Sequence, residues 1–277
     1  MSVNADQADF WAGATSWVDH QAAMDGVLAP VLDALLARAD LQPGWDVLDI
    51  GCGTGASTLA AAQAVGPAGS VTGLDISPAL LGLARDRTEG LPNVTLIEGD
   101  AQTHPFAPAS ADAVISRFGV MFFADTTAAF ANIARALRPG ATMSLAAWGP
   151  APQNPWFMLP AKVARARLGT PPKVDRTLPG PFAFEDANRT HSMLTDAGLD
   201  VSIDTVELTL DGGPSPAEAA ALCTRIGPAA SILRQFEGTE DDRQAIAAGI
   251  ASEMAQWHQG HVHIPACIHL ITAHAAR

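Results

Sequence analysis

Between about residues 45 and 148 the chain alternates short apolar runs with amphipathic stretches. The runs are Asp46–Ile50, Ser70–Ile76, Val94–Ile97, Ala113–Ser116 and Thr142–Leu145. Short, nearly uninterrupted apolar runs suit strands of a parallel sheet covered on both faces, because a wet face would demand alternation. Helical patterns lie between them. Ser77-Pro78 supplies a cap and a first-turn proline for one helix, which Gly90 closes. Asp125 opens another, with Phe130, Ile133, Ala134 and Leu137 at helical spacing and Pro139-Gly140 predicted to end it. Strand and helix in repeated alternation predict an α/β fold, a Rossmann-like doubly wound sheet.

The flanks are mostly helical. Val27, Leu28, Val31, Leu32, Leu35 and Leu36 form a stripe that ends near Pro43-Gly44. Past residue 150 a Pro-rich stretch encloses one predicted helix near 156–168, followed by a helix near 185–197 and a strand near 200–210. Ser215-Pro216-Ala217-Glu218 reads as a capping box. Ile246, Ile250, Met254 and Trp257 continue at helical spacing, and an apolar run from Ile264 to Thr272 finishes the chain. These patterns divide the chain into an N-terminal helical segment (1–44), a ligand-binding core (45–150), a Pro-rich insertion (151–185), a returning helix and strand (186–212), a helical cap (213–260) and a final core strand (261–277). The insertions are expected to cap the sheet rather than fold independently.

The chemistry concentrates in Val47-Leu48-Asp49-Ile50-Gly51-Cys52-Gly53-Thr54-Gly55. Glycines at alternate positions just past a buried strand let the backbone turn tightly and approach a ligand, so a nucleotide-type ligand at the carboxyl edge of the sheet is the default. Taken loosely, Gly51-x-Gly53-x-x-Ala56 also fits a dinucleotide fingerprint. The carboxylates discriminate. Asp49, Asp75 and Asp100 each fall at or near the end of one of the first three strands and are expected to face one crevice. Asp75 lies about 20 residues past the last glycine, where an acid accepts ribose hydroxyls. Asp49 sits just before the first glycine, where a carboxylate repels a diphosphate by about 1 kcal/mol or more and favours a sulfonium and an ammonium. S-adenosylmethionine carries both, and the amino group of its adenine suits Asp100.

Composition narrows the partners. The 277 residues carry 16 Lys and Arg against 29 Asp and Glu, a net charge of −13 with His neutral. No basic footprint for nucleic acid or an anionic membrane is visible. Three separated cysteines, Cys52, Cys223 and Cys267, make neither a disulfide framework nor a CxxC site. No leader pattern and no long apolar run occur in the sequence, which predicts a cytoplasmic protein.

In order and spacing, Val47–Gly55, Asp75, Gly99-Asp100-Ala101 and the Asp112–Phe123 strand and loop resemble the class I S-adenosylmethionine-dependent methyltransferases. The similarity is greatest to the small-molecule branch that includes ubiquinone and menaquinone C-methyltransferases. Ser116–Phe123 and the ending Ile264–Ala273 resemble a bacterial subgroup of that family. The resemblance implies a seven-stranded, mostly parallel sheet closed by an antiparallel last strand. It implies that Gly51, Gly53 and Gly55 pack against the methionine part, that Asp75 and Ile76 bracket ribose and adenine, and that Asp100 and Ala101 meet the adenine edge. Cys52, more a small buried residue than a reactive thiol, and Ser116 are taken as cofactor-side positions with them. It further implies a lid from the N-terminal segment, with Trp17 and Gln21 lining the cofactor beside Trp11.

Methyl transfer is an in-line displacement with an activated leaving group, so orientation and water exclusion are the main demands. Phe118, Met121, Phe122, Trp148 and Trp156 are the candidates for an apolar acceptor pocket, each weighed against plain core packing. His104 and His191 are candidate bases, and Arg117 is a candidate partner for an acidic acceptor or for a carboxylate of the protein. His258, His261 and His263 lack metal-ligand spacing, and no metal is expected. The expected activity is methylation of a small, partly apolar metabolite, with self-association left open. The alternatives are an NAD(P)-dependent oxidoreductase and a non-catalytic nucleoside-binding protein. The total lack of Tyr removes the Tyr-x-x-x-Lys pair of short-chain dehydrogenases.

Overall fold

The computed structural model describes residues 4–275. Strands β1 (Asp46–Ile50), β2 (Ser70–Asp75), β3 (Val94–Glu98), β4 (Ala111–Arg117), β5 (Leu137–Trp148), β6 (Leu199–Asp211) and β8 (His261–Ala275) form one sheet in the order β3-β2-β1-β4-β5-β8-β6. The two-residue β7 (His258–Gln259) pairs only with β8, across a turn at Gly260. Strands β1 to β5 run parallel, and β8 pairs antiparallel with both β5 and β6. The chain thus carries the doubly wound, seven-stranded sheet of the expectation, with the final apolar run as its inserted antiparallel strand.

Helices α1 (Ala5–Ala12), α2 (Thr15–Asp19) and α3 (Gln21–Ala39) precede the sheet. Next come α4 (Ala56–Val65), α5 (Pro78–Arg87), α6 (Thr126–Ala134), α7 (Pro155–Leu168) and α8 (Ala187–Asp196). The last three are α9 (Pro216–Cys223), α10 (Pro228–Gln235) and α11 (Glu240–Met254). Alternation along β1 sends Val47 and Leu48 to opposite faces. Val47 joins Val71, Ala113 and Ile115 beneath Ala61, Ala62 and Val65 of α4, with Leu36 and Ala39 of α3 beside them. Helix α3 continues across β4, β5, β8 and β6, burying Met24, Val27, Leu28, Val31 and Leu35, whereas α1 and α2 run against α5. Helix α7 packs on α10 and α11, and Ile246, Ile250 and Met254 of α11 are fully buried.

Two local expectations need correction. Leu137 and Pro139-Gly140 do not extend or end α6. The helix stops at Ala134, Leu137 pairs with Ala111, and Pro139-Gly140 form an irregularity between that pair and Ala113↔Thr142. A proline that lacks an N–H and a glycine at φ 83° fit a bulge at a strand entry better than a helix end. At α9, Ser215 Oγ does accept from the Glu218 amide at 3.2 Å, but the Glu218 carboxylate takes the Ser215 hydroxyl rather than its amide, so the box is half made.

A clasp without any sequence signal joins the Pro-rich stretch to the sheet. Asn154 is fully buried. Its Nδ2 donates to the carbonyls of Gly149, Pro150 and Cys267, and its Oδ1 accepts from the Cys267 amide at 3.0 Å. Truncation to alanine strands a buried amide and removes the donor from three carbonyls. Asn154→Ala should cost about 2–4 kcal/mol, read as a lower urea midpoint with an unchanged slope.

Candidate functional site

At the carboxyl edge of the sheet the Gly51–Gly55 loop hangs from β2. Gly51 and Cys52 donate to the Leu74 carbonyl, and the Gly53 amide donates to Asp75 Oδ2 at 2.8 Å. Asp75 Oδ1 accepts from the Ser77 amide at 2.8 Å, which also sets the entry of α5. Gly51 lies so close to Gly119 that a Cβ on it would stand 2.6 Å from the Gly119 Cα. Gly53, at φ 56°, faces open space: a Cβ there meets nothing within 4 Å. Gly55 caps α4 and packs on Ala84. The loop thus has one side welded to β4 and one side free.

The three acids differ. Asp75 is nearly buried, and loss of water pushes its carboxyl up, with the Ser77 and Gly53 amides opposing. Asp100 lies past β3, where its Oδ1 accepts from the Gln102 amide and from Asn4 Nδ2, at 2.9 and 2.8 Å. Asp49 does not open on the crevice as expected. It is wholly buried beneath the loop, and its Oδ2 accepts the Ser57 and Thr58 hydroxyls at 2.7 Å each. The strand places it one pleat below the glycines, facing the first turn of α4. Burial raises its pKa to about 6 against the opposing hydroxyls and the Arg117 charge.

Other expected positions divide in the same way. Ile76 is half-buried beside Asp75, and Ala101 is buried with its carbonyl held by Asn132. Cys52 is buried with a thiol pushed well up, inert as expected. The Ser116 hydroxyl is spent on the Ile50 carbonyl at 2.7 Å. Trp17 stands 6.1 Å from Trp11, which in turn meets Phe122 at 5.1 Å, while the Gln21 amide is bonded to Asp25. Arg117, its side chain 13% exposed, lies near Asp49 and Asp25. His104 sits edge-on to Phe106, and His191 is exposed on α8 beside Thr195. Of the pocket candidates, Met121, Trp148 and Trp156 are core residues, 2%, 4% and 6% exposed. Phe118 and Trp148 are brought together, stacked 3° from parallel at 4.4 Å, with Phe157 and Phe182 continuing the row edge-on. Phe118 holds φ 69°, an arrangement that costs a bulky residue about 1–3 kcal/mol and that clusters at functional sites. Among the described residues no group of three or more His, Cys, Asp or Glu could hold a metal, and no helix is long and apolar enough to cross a membrane.

Sequence reading missed Asn4, Ser77, Asp25 and Arg87. Asn4 bridges Asp100 and the Ala124 amide, and the Ser77 hydroxyl donates to the Trp11 carbonyl, so α1 lies over the ends of β2 and β3. Asp25 and Arg87 meet from α3 and α5 at 2.7 Å, beside Thr54. Nothing in the sequence singles out Asp25, which shares α3 with the charges of Asp33 and Arg38.

A Rossmann-like doubly wound sheet with a glycine loop at its carboxyl edge is the class that these features define. Residues 47–140 match the family model described as a methyltransferase domain. The chain is 38% identical over 137 residues to the nocamycin O-methyltransferase of Saccharothrix syringae, covering 48% of this chain and 49% of that one. Over 100 residues it is 40% identical to the demethylmenaquinone methyltransferase of Staphylococcus aureus, 36% and 42% of the respective chains. The chain spans less than half the length of these curated relatives. The [4+2]-cyclase SpnF has a similar fold, with a TM-score of 0.54 at 19% identity over 89% of this chain and 81% of that one. Residues 47–140 thus match a methyltransferase domain, and the chain is similar over that part to class I S-adenosylmethionine-dependent methyltransferases, a family whose co-substrate is S-adenosylmethionine.

The buried Asp49 makes a pH prediction. An acid whose folded pKa is raised binds its proton more tightly folded than unfolded, so stability is greatest at low pH and falls as pH rises from about 4 to about 6. Relative to Asp49→Asn, the native protein should lose about 2 kcal/mol between pH 4 and pH 7, measured by urea unfolding of both proteins.

Proposed function

We propose that the protein transfers a methyl group from S-adenosylmethionine to a small, partly apolar metabolite by direct in-line displacement. The observation that carries this reading is the glycine loop suspended from Asp75, with Gly53 open to a ligand on its free side. Asp75 has its inner lone pairs on backbone amides, which orients the carboxylate so that its outer lone pairs can accept ribose hydroxyls. Ile76 would flank the adenine and Asp100-Ala101 its edge, beneath α1. When bound, the co-substrate supplies a methyl group on a sulfonium, already activated for displacement.

The protein's own part is positioning. The half-buried Phe118, Phe157 and Phe182, linked through the buried Trp148, start beside Gly119 and offer apolar ring surface for an acceptor. Holding acceptor and methyl group in line against such a surface can contribute several kcal/mol to rate. His104 and His191 are the candidates for a base where an acceptor must lose a proton. The relatives named for a demethylmenaquinone and for nocamycin support a small organic acceptor. In this reading residues 45–150 hold the cofactor, and the segments at 151–185 and 213–260 cap the acceptor side.

Two rivals remain on physical grounds. An oxidoreductase needs a diphosphate against the glycine loop, above the Asp49 charge. A protein that binds the nucleoside without methyl transfer has a precedent for altered chemistry in the fold of the [4+2]-cyclase SpnF. Calorimetry should show binding of S-adenosylhomocysteine and none of NADH. Asp75→Ala should weaken the former at least tenfold, the loss of a charge-assisted hydrogen bond. Incubation with labelled S-adenosylmethionine and a metabolite extract should label a small molecule, and a failure to label any would favour the binding-only rival.

A further inference from the structure

The ring surface that begins beside Gly119 ends on a charge. Phe118 and Trp148 stand 4.4 Å apart, Trp148 and Phe157 4.9 Å, and Phe157 and Phe182 5.0 Å, centroid to centroid. Beyond them the Arg176 guanidinium carbon lies 5.7 Å from the Phe182 centroid, within the range at which a cation is drawn to a ring face. One end of the row is thus the glycine loop, and the other is a cation.

Arg176 is held in place without being used up. Its loop is tied down by the Gly180 amide, which donates to the Met121 carbonyl at 3.0 Å. Arg189 adds bonds to the Thr177 and Ala183 carbonyls at 3.2 and 2.9 Å. The Arg176 side chain is 44% exposed, and its Nη1 reaches the two Glu185 carboxylate oxygens only at 3.4 and 3.5 Å. Charge-assisted bonds of this kind close to about 2.7–2.9 Å when they are the main contact. Arg38 and Arg167 hold their acids at 2.6 and 2.7 Å. Glu185 has a shorter bond elsewhere, from the Ala151 amide at 2.9 Å. Nε and Nη2 of Arg176, which form one edge of the guanidinium, have no hydrogen-bond partner among the described residues. With 29 acids against 16 Lys and Arg, the chain does not leave this cation half-paired for want of acids.

We propose that Arg176 selects and orients the methyl acceptor, a flat conjugated ring system that bears a carboxylate remote from its reacting atom. This rests on the methyltransferase reading given above. A carboxylate conjugated to a ring lies in the plane of that ring. An acceptor resting on the row therefore presents it edge-on, where the planar Nε–Nη2 fork takes both oxygens. Orientation matters as much as affinity. A carboxylate is also drawn to a sulfonium beside the glycine loop, and an acceptor entering that way round would offer the wrong group to the methyl. A cation at the far end reverses the order, with the carboxylate at Arg176 and the nucleophile beside Gly119. Arg176 is thus a specificity-determining residue that never meets the reacting atoms.

The test uses two probes that share a hydroxynaphthalene and differ by one carboxylate, 6-hydroxy-2-naphthoate and 2-naphthol. Each is titrated by calorimetry into protein saturated with S-adenosylhomocysteine. The native protein should bind the naphthoate at least fivefold more tightly than the naphthol. Arg176→Met keeps an apolar cover on Phe182 and removes the charge, so it should bring the two affinities within twofold while leaving that of the naphthol unchanged. Arg176→Lys should restore part of the preference. A merely structural Arg176 would move both probes together, or neither. A preference below fivefold in the native protein, one that survives Arg176→Met, or no binding of either probe to the loaded protein overturns the proposal. The comparison within the native protein needs no variant to fold. Failure of S-adenosylhomocysteine itself to bind would instead remove the methyltransferase reading beneath it.

Discussion

The contact between Gly51 and Gly119 organises this molecule. Two backbones, one leaving β1 and one leaving β4, approach until neither tolerates a Cβ: one on Gly119 would stand 2.6 Å from the Ile50 carbonyl and 2.7 Å from Gly51. Because β1 and β4 are adjacent and parallel, this closeness makes their exits a single rigid unit. Ser116 reinforces it by donating to the Ile50 carbonyl. The loop is then free to extend toward β2, where Asp75 takes its amide. Packing at the centre of the sheet therefore sets both the cofactor-facing edge and the start of the aromatic row at Phe118.

The fold was legible because its signals are local. Strand runs such as Val47–Ile50 and helix starts such as Ser77-Pro78 and Asp125 are decided within a few residues, and each cap forms as its chemistry requires. The antiparallel β8 was legible only through family resemblance, since an apolar run carries no direction. Pro139-Gly140 failed as a helix end because the same residues also suit a bulge. Pairing with Ala111, distant in sequence, decides between the two.

The site was legible at the level of the loop and less so in its depth. Asp49, Asp75 and Asp100 look alike in sequence, yet one is sealed under α4, one holds backbone amides and one meets Asn4. Alternation along β1 contained part of that answer, because the side chain of Asp49 points to the face that α4 covers. Arg87 and Asp25 were beyond reach, since their meeting depends on how α3 and α5 pack across the loop. Asn154 was hidden for the same reason: its four bonds reach from a Pro-rich turn to β8.

Charge placement then explains why one loop sequence can favour one ligand. A glycine loop alone welcomes any group that can approach a backbone, including a diphosphate. Here a carboxylate lies buried beneath it, in surroundings where burial works against its ionisation and two hydroxyls and an arginine work for it. Such a group is not held for stability, because a well-packed apolar residue at the same place would avoid the desolvation penalty. In the function proposed above, its role is the field it projects through the loop, strongest where water is excluded and attenuated little by salt. Selectivity of this kind needs no direct contact with most of the ligand. It needs only that the loop be thin, and the absence of side chains on Gly51, Gly53 and Gly55 makes it so.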